Sequence, residues 1–155
     1  MHLYLVAVSK RLPDWIAVGQ QEYLKRLPKS FAPRLIEIDP VAGARRDVAT
    51  VRSEEAARIR QAIPRGTRLV LLDEHGTQWS TVELAKKLEQ WQQRGDDVAL
   101  VLGGPDGHDP ELKREAELLW SLSRLTLPHQ LARIVVVEQL YRAWALSQNH
   151  PYHRE

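Results

Sequence analysis

Cysteine is absent from this 155-residue chain. That excludes a disulfide framework, a thiolate nucleophile and any cysteine-based zinc centre, and it fits a reducing compartment. Long apolar runs are missing as well; none approaches the roughly 18–20 residues that a membrane helix needs. The opening MHLYLVAVSKRLPDW is apolar only from Leu3 to Val8 and has no small-residue cleavage site after it, so it does not read as a signal peptide. A cytoplasmic protein is expected. The common site signatures are also lacking. No H-E-x-x-H occurs, and the ligand-like spacing of His150 and His153 has no third ligand nearby, so no metal is expected. No G-x-S-x-G elbow supports a serine hydrolase, and neither G-x-G-x-x-G nor a Walker loop supports a dinucleotide or triphosphate site.

Net charge is small, at +2, yet unevenly spread. Residues 1–70 carry 13 Lys/Arg against 7 Asp/Glu, residues 71–120 carry 5 against 11, and residues 121–155 carry 4 against 2. A basic first half beside an acidic middle suits a polyanion partner, although solvated helix faces would give the same imbalance. Apolar residues make up 43% and charged residues 27%, the balance of a folded chain of one domain, residues 1–155.

Strand and helix patterns alternate. LYLVAV (3–8), RLIEID (34–39), RLVLLD (68–73) and DVALVLGG (97–104) read as strands. Between them lie a helix opened by Pro13, a mobile basic loop PVAGARRD, a polar helix over 48–62, and a helix opened by the Ser80/Glu83 capping pattern and stopped near Gly95. PELKREAELL (110–119) reads as a short helix, WSLSRLTL as a strand or extended loop, and the span from Pro128 to Ser147 as a long helix. Strands apolar along their whole length imply a parallel sheet with helices on both faces, an α/β fold. The last helix is apolar on nearly every side and must be covered all round, which points to a second subunit.

In open α/β sheets ligands sit beyond the carboxyl ends of the strands, and three such ends are unusual. LLDEHG (71–76) places an acid after the third strand and then turns at Gly76. LGGPDG (102–107) offers Gly103 and Gly104, where bare backbone can admit a ligand, followed by a tight turn. SLSRLTLPHQLAR (121–133) alternates from Leu122 to Leu127 before a proline, with Thr126 as a plausible cap; its leucines can sandwich a flat aromatic ligand. His129 would occupy the first helical turn, where the dipole favours a neutral imidazole. Each of the three also has a purely structural reading as a strand-end turn or a capped helix start. The chain closes on NHPYHRE (149–155), an unusual density of chemistry for a terminus.

Taken together, LDEHG, GGPDG, SLSRLTLPHQLAR, EQLYRA and PYHRE, with LVAVSK, PDW and EYLKR at the start, closely resemble over the whole chain the bacterial family of 23S ribosomal RNA pseudouridine N3-methyltransferases. These are minimal members of the SPOUT class of S-adenosylmethionine-dependent enzymes. The resemblance implies a trefoil knot in the C-terminal part (about 68–155), a homodimer, and a ribosomal substrate. It also implies a methyl donor held by backbone at Leu72, Gly103 and the segment Leu122, Ser123, Arg124, Leu125, Thr126, Leu127. On that footing PYHRE is expected to fold over a donor pocket, that of the partner subunit. Tyr152 would stack on or hydrogen-bond the target base, Arg142 or Arg154 would stabilise the deprotonated imide, and His153 or His129 would accept its proton. Lys10, Arg11, Lys25, Arg26, Lys29, Arg45 and Arg46 are candidates for tracking RNA phosphates. The competing readings are a non-catalytic ribosome- or RNA-binding factor and a SPOUT enzyme acting on transfer RNA.

Overall fold

Alternation along the first strand sets the architecture. In the computed structural model, which describes residues 1–41 and 47–153, β1 (Leu3–Val8) is buried at every position. Leu3, Leu5 and Ala7 enter one apolar layer, and Tyr4, Val6 and Val8 the other. A strand that hides both faces must lie inside a sheet covered on both sides. The sheet has five strands, all parallel, in the order β2 (Arg34–Ile38), β1, β4 (Val98–Leu102), β3 (Arg68–Gln78) and β5 (Leu118–Ser121). On one face, α3 (Thr81–Arg94) contributes Leu84, Leu88 and Trp91, and α5 (His129–Ser147) contributes Val136, Val137 and Leu140. There α1 (Asp14–Leu24) also lies against α5. On the other face, α2 (Val48–Ala62) adds Ala56 and Ile59, and α4 (Pro110–Glu115) adds Leu112.

The helix boundaries follow local chemistry. Asp47, Ser80 and Asp109 cap α2, α3 and α4, each side chain accepting from a first-turn amide. Gly95 ends α3 in the left-handed region, at φ 70°. Two expectations need correction here. The helix read over 110–119 stops at Glu115, because the Glu117 amide donates to the Leu69 carbonyl (2.9 Å) and draws Leu118–Ser121 into the sheet as β5. Thr126 does not cap α5; the cap position is Pro128, and no side chain bonds the first turn.

The third correction concerns β3. The chain does not leave the sheet at Gly76 but continues to Gln78. Leu72 and Thr77 both pair with Trp120, so residues 73–76 bulge out between two pairings to one residue. Gly76 makes the return possible: a Cβ there would lie 2.5 Å from the Leu119 carbonyl group and 2.8 Å from the Trp120 nitrogen.

Candidate active site

The bulge of β3 and the carboxyl ends of β4 and β5 open onto one cleft of about 780 Å³. Leu72 and Asp73 come from β3 where its bulge begins, Gly103 to His108 from the turn after β4, and Ser121 from the end of β5 with Leu122, Ser123 and Leu125 to Leu127 from the segment after it; His129 closes the wall from α5. The three unusual strand ends therefore meet in one place. Arg124 is exposed and does not line the cleft. Segment 122–127 is irregular, held by two short bonds: Ser121 Oγ donates to the Ser123 carbonyl (3.0 Å) and Leu125 N donates to Ser123 Oγ (2.9 Å). Leu125 projects with 74% exposure, the highest of the exposed large apolar side chains. An uncovered leucine at a cleft, flanked by half-buried Leu122 and Leu127, suits a flat apolar ring.

The glycines of the β4 turn work differently from the sequence expectation. A Cβ on Gly103 would meet the His108 imidazole at 2.9 Å, and one on Gly104 would meet Glu55 Oε1 at 3.0 Å. Glycine is needed there because the His108 ring and the Glu55 carboxylate press on the backbone, and the Gly104 carbonyl accepts from the Gly107 amide (3.0 Å) to close the turn. His108 was not singled out from sequence. It is buried, and its Nε2 donates to the Leu72 carbonyl (3.0 Å), tying the end of β3 to the glycine turn. Asp73 is nearly buried, which alone would raise its pKa, but the bond from Lys113 (2.8 Å) and the His75 amide (2.8 Å) outweigh that and keep it ionised.

His108 and His129 both titrate below the ordinary imidazole value of 6.5, chiefly because burial disfavours the cation. For His129 the charge of Arg133, one helical turn on, adds to burial, while a bond to the Gly103 backbone opposes both. The neutral imidazole expected from the helix dipole is thus favoured mainly by desolvation. Below about pH 6.5 the unfolded chain takes up protons that the folded chain resists, so the stability held near neutrality is lost as pH falls. The melting temperature is expected to drop from about pH 7 to about pH 5, and less steeply in His108→Leu. Equal slopes in the two proteins would mean that His108 protonates freely in the fold.

The tail residues form a second cluster. α5 ends in a Schellman turn: Asn149 adopts φ 54°, and the amides of Asn149 and His150 donate to the carbonyls of Leu146 (3.2 Å) and Ala145 (2.8 Å). This reverses the chain, and a 3₁₀ turn, Pro151–His153, follows. The Tyr152 ring then rests on Tyr141 (centroids 4.6 Å apart) and under the Arg142 guanidinium (4.9 Å). Glu138 Oε1 accepts from Tyr152 Oη (3.1 Å) and from Arg142 Nε (2.9 Å). Burial and the neighbouring Glu138 carboxylate push the Tyr152 hydroxyl up to about 12, so it stays protonated. Arg154, like Arg45 and Arg46 of the basic loop, lies outside the described residues.

His129 and Arg142 are thirteen residue steps apart on α5, about 20 Å along the axis. Within one chain the structure brings together Leu72, Gly103, Gly104, the 122–127 segment and His129, and it brings together Arg142 and Tyr152, but at opposite ends of α5. Of the basic residues considered for phosphate, Arg26 and Lys25 are instead paired with Glu22 (2.7 and 3.1 Å). No group of three potential metal ligands gathers among the described residues, and no described helix is long and apolar enough to cross a membrane.

A family profile described as "Predicted SPOUT methyltransferase" matches residues 1–153. Curated relatives extend the match over the full chain. A protein of Hydrogenovibrio crunogenus named "Ribosomal RNA large subunit methyltransferase H" is 48% identical over 100% of both chains. Proteins of the same name from Burkholderia vietnamiensis and Burkholderia thailandensis are each 50% identical over 99% of both chains.

Proposed function

The chain belongs to the SPOUT methyltransferase family, and on that premise we propose that it methylates N3 of a pseudouridine in 23S ribosomal RNA, using S-adenosylmethionine and acting on assembled ribosomes. The observation that carries the reading is the convergence of Leu72 at the β3 bulge, Gly103 after β4, and Leu122, Ser123 and Leu125 to Leu127 after β5 on a single cleft of a parallel sheet. The relatives named for large-subunit ribosomal RNA support the acceptor.

The donor supplies a methyl group on a positively charged sulfur, electrophilic without further activation. In this reading the backbone at Leu72, Gly103 and Gly104 lies against the donor, and Leu122, Leu125 and Leu127 cover its base and exclude water. Arg124, outside the cleft lining, contributes backbone only. The acceptor's imide nitrogen must shed its proton before it attacks. His129 lies in the cleft and is favoured as neutral imidazole, so it ranks first as proton acceptor, with His153 the alternative. Tyr152, protonated, is suited to stack on or donate to the target base, and Arg142 with Arg154 to stabilise the imide anion.

That Tyr152 and Arg142 line no part of their own chain's cleft favours a homodimer in which each tail serves the partner's cleft. Incompletely covered apolar side chains on the same layer support it: Trp15 and Val18 on α1 are 61% and 69% exposed, and Leu131 on α5 is 39% exposed. The single domain over 1–155, with the trefoil knot and donor site within about 68–155, belongs to the same reading.

Methyl-labelled S-adenosylmethionine, offered with assembled ribosomes, isolated large subunits, ribosomal RNA lacking pseudouridine, or transfer RNA, tests the proposal. Label is expected only in pseudouridylated ribosomes. Label in transfer RNA would move the acceptor, and no label together with no donor binding by calorimetry would leave a binding factor.

A further inference from the structure

The Tyr152 ring is held from two helices, and only one of them carries residues of the proposed site. From α5 come Tyr141, Glu138 and Arg142. From α1 and the turn after it come Tyr23 and Arg26. The Arg26 guanidinium lies 5.6 Å from the Tyr23 ring centroid, 5.5 Å from that of Tyr141 and 6.0 Å from that of Tyr152. Its other side is fastened to Glu22, one turn back, at 2.7 Å. Tyr23 also contacts Tyr141 (6.5 Å between centroids), and its hydroxyl acts on that of Tyr152. The Tyr152 ring therefore has two guanidinium groups within 6.0 Å of its centroid, Arg26 from the turn after α1 and Arg142 from α5, and it packs on Tyr141.

We propose that Tyr23 and Arg26 are positioning residues for the C-terminal segment: with Tyr141 they form a seat for the Tyr152 ring that sets where the chain's last residues are delivered. The inference rests on the reading of the tail as part of the active site. A chain end ordinarily frays, and the Schellman turn at Asn149 only reverses its direction. The seat on α1 adds a contact distant in sequence, which fixes the reversed tail against the α1–α5 pair. Glu22 has a part in this as the anion that aims Arg26, while Lys25 shares the same carboxylate at 3.1 Å. A lysine at position 26 keeps a cation near the rings but lacks the planar fork that can face Glu22 and an aromatic ring at once.

The test compares the full-length protein with Arg26→Ala, Arg26→Lys and Tyr23→Phe by three measurements: release of C-terminal residues by carboxypeptidase, donor affinity by calorimetry, and turnover on ribosomes. Arg26→Ala is expected to release the tail roughly 5- to 10-fold faster and to lower kcat by a similar factor, with donor Kd unchanged within about twofold. Arg26→Lys should recover part of both effects, and Tyr23→Phe should leave the ring floor in place and change release less than Arg26→Ala. A merely structural role would instead weaken donor binding together with turnover. Unchanged digestion in Arg26→Ala overturns the seat, as does a parallel loss of donor affinity. Should Tyr152→Ala itself turn over at the full rate, the tail's part in catalysis has failed, and the digestion rates still decide whether the seat exists.

Discussion

A chain ended after Asn149 is expected to bind S-adenosylmethionine as the full-length protein does and to lose methyl transfer by about a thousandfold or more. The tail cluster lies apart from the cleft of its own chain, since none of Tyr152, Glu138 or Arg142 lines that cleft. Removing the tail therefore leaves the cleft residues proposed to hold the donor in place while taking away Tyr152, His153 and Arg154, which are proposed to act on the acceptor beside His129 and Arg142. The fold should tolerate the cut, because the 3₁₀ turn lies on the surface of α5 and the sheet is untouched. Exposing Tyr141, now 5% accessible, is expected to cost about 1–2 kcal/mol, readable as a small drop in melting temperature. Calorimetry and single-turnover kinetics on the truncated chain separate the two effects. A tenfold loss of donor affinity would put the tail in the donor site instead. Mixing the truncated chain with one whose cleft is disabled by His129→Ala gives the sharper result. Activity should reappear in the mixture when intact tails meet intact clefts across the dimer, and its failure to do so would put the tail to work on its own chain.

Gly76→Val is expected to be the most damaging single substitution at the cleft. A Cβ at this position would sit 2.5 Å from the Leu119 carbon and oxygen, a distance no rotamer change relieves, because the obstacle is backbone. Either the bulge over residues 73–76 opens or β5 shifts away from β3. Both disturb the pairing of Leu72 and Thr77 with Trp120, and the chain passes from Ser121 directly into the 122–127 segment. A loss of about 2–4 kcal/mol in urea unfolding is expected, with donor binding weakened at least about tenfold. Gly76→Ala should fall in the same direction, because even a single methyl meets the same atoms. Wild-type stability and donor affinity in Gly76→Val would mean that β3 and β5 can separate without cost to the site.

The pattern of strands was readable because it is local. LYLVAV and VALVL are apolar at every position, which only a strand covered on both faces tolerates. α2 and α5 were readable for a local reason too, since Pro64 with Gly66 stops the first and Pro128 opens the second without reference to the rest of the chain. Only the start of β5 was misread, since WSLSRLTL already allowed a strand: Leu118 and Leu119 owe their extended form to pairing with β3 and to the Glu117 amide bond, contacts that span nearly fifty residues. Its leucines and preceding Glu, Lys and Ala suit a helix equally well.

The site divides along the same line. That something would happen at LLDEHG, LGGPDG and SLSRLTLPHQLAR followed from the residues, and the family resemblance attached a methyl donor to them. His108 escaped notice because a lone histidine after a turn has no signature until its ring is seen 3.0 Å from a carbonyl 36 residues away. Glu55, pressed behind Gly104 and pushed toward its neutral form by burial, is a similar case. By itself the sequence determined the α/β alternation, the two-sided burial of the strands and the chemistry offered at the strand ends and the tail, since these depend on residue type and short spacing. Only the tertiary structure decided that three strand ends share one cleft while Tyr152 and Arg142 occupy the other end of α5. That partition depends on the order β2-β1-β4-β3-β5 and on a helix long enough to hold two sites apart, and no local pattern records either.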